Sequence, residues 1–418
     1  MKKIILSAAS LAVAAVASVS VVPTTSEAIP AFARQTGAAC LACHFQSFPT
    51  LNAYGRTFKM SALTDVGDQG LIEDDGLSIP NVVNWTVMVR PNYVLSKKVD
   101  TAAVGATPAS SVTTKNYDLA DQVFMVGGRA GEHTGVFVEA GFGDGGAAQA
   151  AGDPAAGGGY GNMQLFNSWD MGDLKVGATL WSDGFGEDSG LQLMSVYGQH
   201  GGLLAGKKLT INHQMGANDA SGVTAWVGTD AWAAQFALVD IANGGAATGL
   251  KYSPTIRGNY FLEAGDWEIG LGAIAVTGSS TANALPSTQG RDTKRYGLDV
   301  QAMGEVGDMQ IGIFADYATA PAGSQQVANF YNNSYTDART GYSFRVSVKP
   351  THNLIFIAGI GKDKQGTTAA AGTTATDRTL VGVEWEAYQN FAVQLSTNII
   401  DTQAIKTTTT LLDFELLI

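Results

Sequence analysis

The stretch Tyr342-Ser343-Phe344-Arg345-Val346-Ser347-Val348-Lys349 alternates bulky apolar and polar side chains without a break. A period of two marks a strand with two unlike faces. The pattern recurs where Phe391, Val393, Leu395 and Ile399 alternate with Ala392, Gln394, Ser396 and Asn398. It returns at the end, where Leu412, Phe414, Leu416 and Ile418 alternate with Asp413, Glu415 and Leu417. From Asn81 onward such segments run to about ten residues, the signature of a transmembrane β-barrel, apolar toward lipid and polar toward the lumen. A soluble antiparallel sandwich, also half-buried, is the competing architecture.

The connections separate the two. Short links stand at Met171-Gly172-Asp173, Gly228-Thr229-Asp230, Ala264-Gly265-Asp266 and Val306-Gly307-Asp308. Longer links, rich in Gly, Ala, Thr, Ser and Asn, cover 96–116, 143–160, 278–291, 318–338 and 362–376. Short turns on one side and long loops on the other are what outer-membrane barrels show. The expected fold is therefore all-β, a transmembrane antiparallel barrel of about 16–18 strands over residues 81–418. A strict count gives about eighteen, with weak segments near 207–229 carrying the uncertainty. The sequence stops in a strand, as barrels that close on their last strand do, although Ile418 is not the usual aromatic ending. Trp85, Tyr93, Trp169, Trp181, Trp267, Tyr317 and Trp385 lie near strand ends and suit interfacial girdles, or ordinary packing.

Composition agrees. Charged residues are 15% of the chain, with 51 Gly and only 11 Pro. The net charge is −12; loss of residues 1–28 removes two lysines and one glutamate and takes it to −13. That acidity argues against nucleic acid and permits attraction of cations. Residues 1–28 read as a signal peptide: Lys2 and Lys3, an apolar run from Ile4 to Val22, and a small-residue exit at Ser26-Glu27-Ala28. A retained membrane anchor is the alternative.

Residues 29–80 differ from everything after them. They contain both cysteines of the chain, in Cys40-Leu41-Ala42-Cys43-His44. C-x-x-C-H is the attachment signature of a c-type haem. Two thiols form thioethers to the vinyl groups, and the adjoining His44 supplies an axial ligand to the iron. A disulfide or a redox pair is the competing reading; zinc would need further ligands, and none is near in sequence. Leu51, Tyr54 and Phe58 recur at helical spacing, with Pro49 in the first turn and Ser47 as an N-cap. So short a helix must lie on something apolar, and the haem edge is the candidate. Arg34, Arg56 and Lys59 are placed to neutralise haem propionates, or are solvated surface charges. Asp65, Asp68, Glu73, Asp74 and Asp75 form an acidic run that either concentrates cations or is a solvated linker. Some fifty residues make too small a core to stand alone, so this segment reads as a plug carried by the barrel.

The runs Ile29 to Gly37, Cys40 to His44 and Pro49 to Lys59 together resemble the fused cytochrome–porins of the outer membrane, the Fe(II) oxidases of iron-oxidising bacteria. The motif likeness covers about thirty residues; beyond it only the architecture is similar, since barrel strands carry little identity. The resemblance implies one covalent haem c at Cys40, Cys43 and His44 in an N-terminal plug, and a barrel usually described as sixteen-stranded. It implies extracellular Fe(II) as electron donor, a periplasmic c-type cytochrome as acceptor, and outer-membrane lipid around the wall. As an enzyme such a protein is an Fe(II):cytochrome c oxidoreductase working by outer-sphere one-electron transfer. No catalytic acid, base or nucleophile is needed, and no zincin motif, P-loop or nucleophile elbow is evident. A solute porin with a structural or gating haem plug, and an outward, metal-reducing conduit, are the rival functions.

The second axial ligand is the least legible part. His133, His200 and His352 fall in or beside connections on the expected periplasmic side. His213 shares parity with Leu209, Ile211 and Met215 and so is expected to face lipid. Met60 is the nearest candidate within the plug; simple packing against haem or helix is its other reading.

Overall fold

The structure, a computed structural model, describes residues 30–75, 77–100, 110–141, 160–183, 190–194, 209–216, 220–241, 252–280, 291–365, 374–402 and 404–418. The expected signal peptide, the link 143–159 and His200 lie outside them.

Sixteen strands among the described residues close one barrel. In chain order they are Trp85–Asp100, Ser111–Arg129, Thr134–Gly141, Tyr160–Met171, Leu174–Asp183, Ala220–Gly228, Trp232–Asp240 and Ser253–Ala264. There follow Trp267–Val276, Arg295–Val306, Met309–Ala320, Arg339–Thr351, Leu354–Gln365, Thr374–Tyr388, Phe391–Asp401 and Ile405–Leu417. Each pairs antiparallel with its neighbour in sequence, and the last closes on the first with Leu412 opposite Tyr93. The strict count of eighteen was too high. In the weak stretch 207–229, Ala220–Gly228 joins the wall and Ile211–Gln214 is a helical turn folded into the lumen.

The alternation of sequence becomes an alternation of faces. Tyr342 and Phe344 are exposed on the outside, while Ser343, Arg345, Ser347 and Lys349 are buried inside. Ile256, Leu298, Ile360 and Val381 are each more than half exposed on the outer surface of their strands. A soluble sandwich would cover such residues; a closed wall with an apolar exterior and a polar interior is built for a bilayer. Trp85, Tyr93, Trp169 and Tyr317 are exposed, and Trp267 and Trp385 are half-buried. Trp181 follows the packing alternative: it is 1% exposed and points inward, its Nε1 donating to Thr224 Oγ1 at 2.9 Å. An indole that finds a hydroxyl partner inside has no call for the interface.

At one end the links are tight. Gly172, Gly265 and Gly307 each precede an Asp and have φ of +70°, +64° and +61°. A glycine at the first central position with φ above zero is what a two-residue type II′ hairpin requires. In outer-membrane barrels the short turns are periplasmic.

The lumen at this short-turn end is filled by the N-terminal segment. Three short helices, α1 (Pro30–Thr36), α2 (Cys40–Cys43) and α3 (Ala53–Met60), are followed by a hairpin of Leu71–Asp74 with Leu77–Pro80. The helix cap differs from expectation. Asn52, not Ser47, is the N-cap of α3, its Oδ1 accepting from Gly55 N at 3.0 Å. Ser47 instead donates to Glu384 on the wall at 2.9 Å. Tyr54 is exposed and donates to Asp65, so the apolar stripe reduces to Leu51 and Phe58.

Candidate functional site

Cys40 and Cys43 occupy the single turn of α2, and His44 leaves it in extended conformation, bridging to Leu51. Helix α3 is pressed against this turn: a Cβ on Gly55 would collide with the Cys43 carbonyl. Asn52 Nδ2 donates to the carbonyls of Leu41 and Ala42, at 3.3 and 3.0 Å, so the capping residue also ties α3 to α2. Local sequence thus sets Cys40, Cys43 and His44 on one side of a compact knot.

That side opens on a cleft of about 980 Å³, counting the solvent space at its mouth. Phe32, Phe48, Leu51, Phe58 and Leu63 of the plug line it, and Phe137 completes the apolar wall from the barrel. Phe32 meets Phe58 edge-on at 5.7 Å between centroids and Phe137 at 6.0 Å. Lys59, Glu139, Gln164 and Gln192 supply most of the polar lining beyond the motif itself. A mostly apolar concavity with a few convergent polar groups is the usual form of a cofactor site.

Electrostatics suit the donor set. Burial pushes the His44 imidazole down to about 4, with the Thr50 backbone opposing and Lys59 reinforcing the shift. It is therefore neutral at pH 7, the form that binds iron. His44 Nδ1 is buried with no hydrogen bond of normal geometry. Burial, and next Asp65, push the Cys43 thiol up to about 11. A redox C-x-x-C relies on the opposite, a stabilised thiolate. The residues present fit a covalently attached haem: two thiols, a neutral imidazole and apolar walls converge on one space.

The other expected site residues are divided. Lys59 lines the cleft. Arg56 does not; it is 2% exposed and grips Glu268 with two bonds of 2.7 and 2.6 Å, its guanidinium 3.8 Å from the Phe261 ring centroid. Arg34 bonds the Trp85 carbonyl and stacks on its ring at 5.5 Å. Met60 is 1% exposed within the core formed with Phe58, Ala62 and Leu63, away from the cleft lining. His213 is corrected: it lies on the inward helical turn α4 (Ile211–Gln214), 8% exposed inside the lumen and not toward lipid. His133 and His352 stand in short connections, as expected. Among the described residues no cluster of His, Cys, Asp and Glu could hold a metal ion, which leaves the acidic run 65–75 without a site. Asp65 and Glu73 instead accept local bonds from Tyr54 and Ser78.

Sequence reasoning missed Phe137, Glu139, Gln164 and Gln192. Each comes from the wall or an inward segment far along the chain. The available signal was parity, since Phe137 and Glu139 share the inward face of one strand.

No protein-family model and no curated protein matches the chain. Among solved structures it is similar to a loop-deleted OmpT from Vibrio cholerae, at 12% identity and a TM-score of 0.46, over 80% of this chain and 99% of that one. OpdL of Pseudomonas aeruginosa follows at 7% and 0.44, over 80% and 98%. A BenF-like porin from Pseudomonas fluorescens Pf-5 stands at 10% and 0.44, over 81% and 99%. The strand register and the apolar exterior carry the architecture by themselves: the chain is a sixteen-stranded β-barrel of the outer-membrane type with its N-terminal segment folded into the lumen.

Proposed function

We propose that the protein is an outer-membrane electron conduit. It oxidises extracellular Fe(II), carries one haem c at Cys40, Cys43 and His44, and delivers electrons to a periplasmic c-type cytochrome. The observation that carries this reading is the convergence of both thiols and the neutral imidazole on one apolar cleft inside a barrel. Haem bound there supplies a one-electron couple inside the membrane wall. The chain's own residues hold it and exclude water: Phe32, Phe58 and Phe137 form the apolar sides, and α3 backs the attachment turn. The plug touches the short turns, Thr57 donating to Asp230 at 2.8 Å, which supports delivery of electrons on the short-turn side.

Denatured full-length protein should keep a haem-stained band, and the Cys40→Ala/Cys43→Ala double variant should lose it entirely while still folding as a barrel. A stained band in the double variant sinks the assignment. Anaerobic Fe(II) added outside should then reduce the haem. Reduction only by a periplasmic reductant favours the outward conduit.

The polar lumen, with Arg257 bonded to Asp299 and Arg339 to Asp363, supports a second reading as a solute porin. Solute flux into vesicles, equal in oxidised and reduced protein, would favour it.

A further inference from the structure

The cleft takes one charged side chain from each of two bodies, and the two charges are opposite. The plug contributes a cation, Lys59, at the end of α3. The barrel contributes a carboxylate, Glu139, whose Oε2 accepts from Asn162 on the adjoining strand. A short buried segment, residues 190–194, also borders the cleft through Gln192. Its Gly190 lies on the face of Trp181, and the Gln164 amide donates to the Gly190 carbonyl. Leu191 and Leu193 are fully buried, so the segment is pinned on both sides of Gln192. Gln192 has φ of +53°, a conformation unfavourable for a residue with a Cβ. Its carbonyl accepts from Lys59 Nζ at 3.5 Å. Arg56 and Arg34 are held by Glu268 and Trp85 and do not line the cleft.

We infer that the haem site is shared by plug and wall: Lys59 meets the propionate edge, and Glu139 is the wall carboxylate that lowers the reduction potential. This rests on the haem reading proposed above. A negative charge facing the iron favours Fe(III), and a positive one favours Fe(II). A unit charge about 10 Å away, in a medium of effective dielectric near 20, shifts that equilibrium roughly tenfold. For one electron this is about 59 mV.

The test is an anaerobic potentiometric titration of the full-length, haem-loaded protein in detergent. Glu139→Gln should raise the midpoint by about 59 mV and Lys59→Gln should lower it by a similar amount. Arg34→Gln should move it by less than a third of either. Haem staining measures loading in each variant. Where Glu139→Gln fails to assemble, Glu139→Ala, which removes the same charge, should also raise the potential. Loaded variants at the wild-type potential, or a larger shift from Arg34→Gln, overturn the shared site and leave the conduit reading standing. A wild-type chain without covalent haem overturns both.

Discussion

The barrel wall and the plug present polar residues to the same lumen and are kept there by different means. A wall strand such as Arg339–Thr351 is bonded along its length to Met309–Ala320 on one side and Leu354–Gln365 on the other. Among the described residues no such ladder joins plug to wall. The plug is held at points: Gln35 accepts from Arg129 N and donates to the carbonyls of Leu63 and Asp65, each between 2.7 and 2.9 Å. The Gln46 carbonyl accepts from Lys349 at 2.6 Å, its side-chain Oε1 from Ser347 at 2.6 Å. Arg56 locks to Glu268. Distributed backbone bonding tolerates the loss of one side chain, whereas point attachment concentrates the cost in a few buried polar groups.

The largest effect on this contrast should come from Glu268→Gln. It leaves Arg56, 2% exposed, without its counter-charge. Removing one partner of a buried pair costs about 3–5 kcal/mol because the remaining charge is uncompensated. We expect the plug to become accessible to protease while the barrel keeps its heat-modifiable migration in gels. Equal protection of the plug in variant and wild type would mean that Arg56 is not its anchor.

Phe344→Arg probes the wall in the same way. Phe344 faces outward and is 43% exposed, while its neighbour Arg345 is buried inside with Nη1 donating to Thr210 at 3.0 Å. An arginine on the lipid face costs about 2–4 kcal/mol at the bilayer midplane. Urea unfolding in lipid vesicles should show that loss, and the plug should remain attached until the barrel itself unfolds. An unchanged midpoint would place Phe344 away from the hydrocarbon.

These variants also mark what sequence could reveal. The wall was legible because Tyr342 to Lys349 alternates beside partners that alternate too, so face and register agree along the strand. Leu209, Ile211, His213 and Met215 show the same parity against Thr210, Asn212 and Gln214, yet the segment lies inside the lumen. Both of its parities are buried, with Leu209 and Ile211 at 1% and Thr210 and Asn212 at 0%. What holds it is distant in sequence: Arg295 donates to the carbonyls of Asn212 and Met215, and Asp316 accepts from Asn212 N. A short window with period two cannot tell a ladder from such a capture. The same holds in the site. Cys40, Cys43 and His44 were readable because the motif is local; Glu139 and Gln192 were not, because only barrel closure brings them near. Neither reading of Arg56, propionate partner or solvated surface charge, foresaw its buried pairing, because Glu268 lies 212 residues away.

The smallest effect should come from Gly307→Ala, at a point where the wall has no lateral support. Gly307 has φ of +61° in the turn between Arg295–Val306 and Met309–Ala320, and a Cβ there would meet nothing within 4 Å. Its cost is therefore conformational alone, about 1–2 kcal/mol for an L-residue held in the left-handed region. Gly304, three residues earlier, is the steric counterpart: a Cβ there would strike the Trp267 ring. The ladder on either side, from Val306 opposite Met309 to Tyr296 opposite Thr319, should hold the register, so the penalty should appear in stability with no change in barrel closure. Gly307→Asn should recover part of the loss, because asparagine is tolerated at positive φ in primed hairpin turns more readily than alanine is. If alanine and asparagine were equally costly, steric crowding by an unseen neighbour, and not backbone strain, would be setting the conformation of this turn.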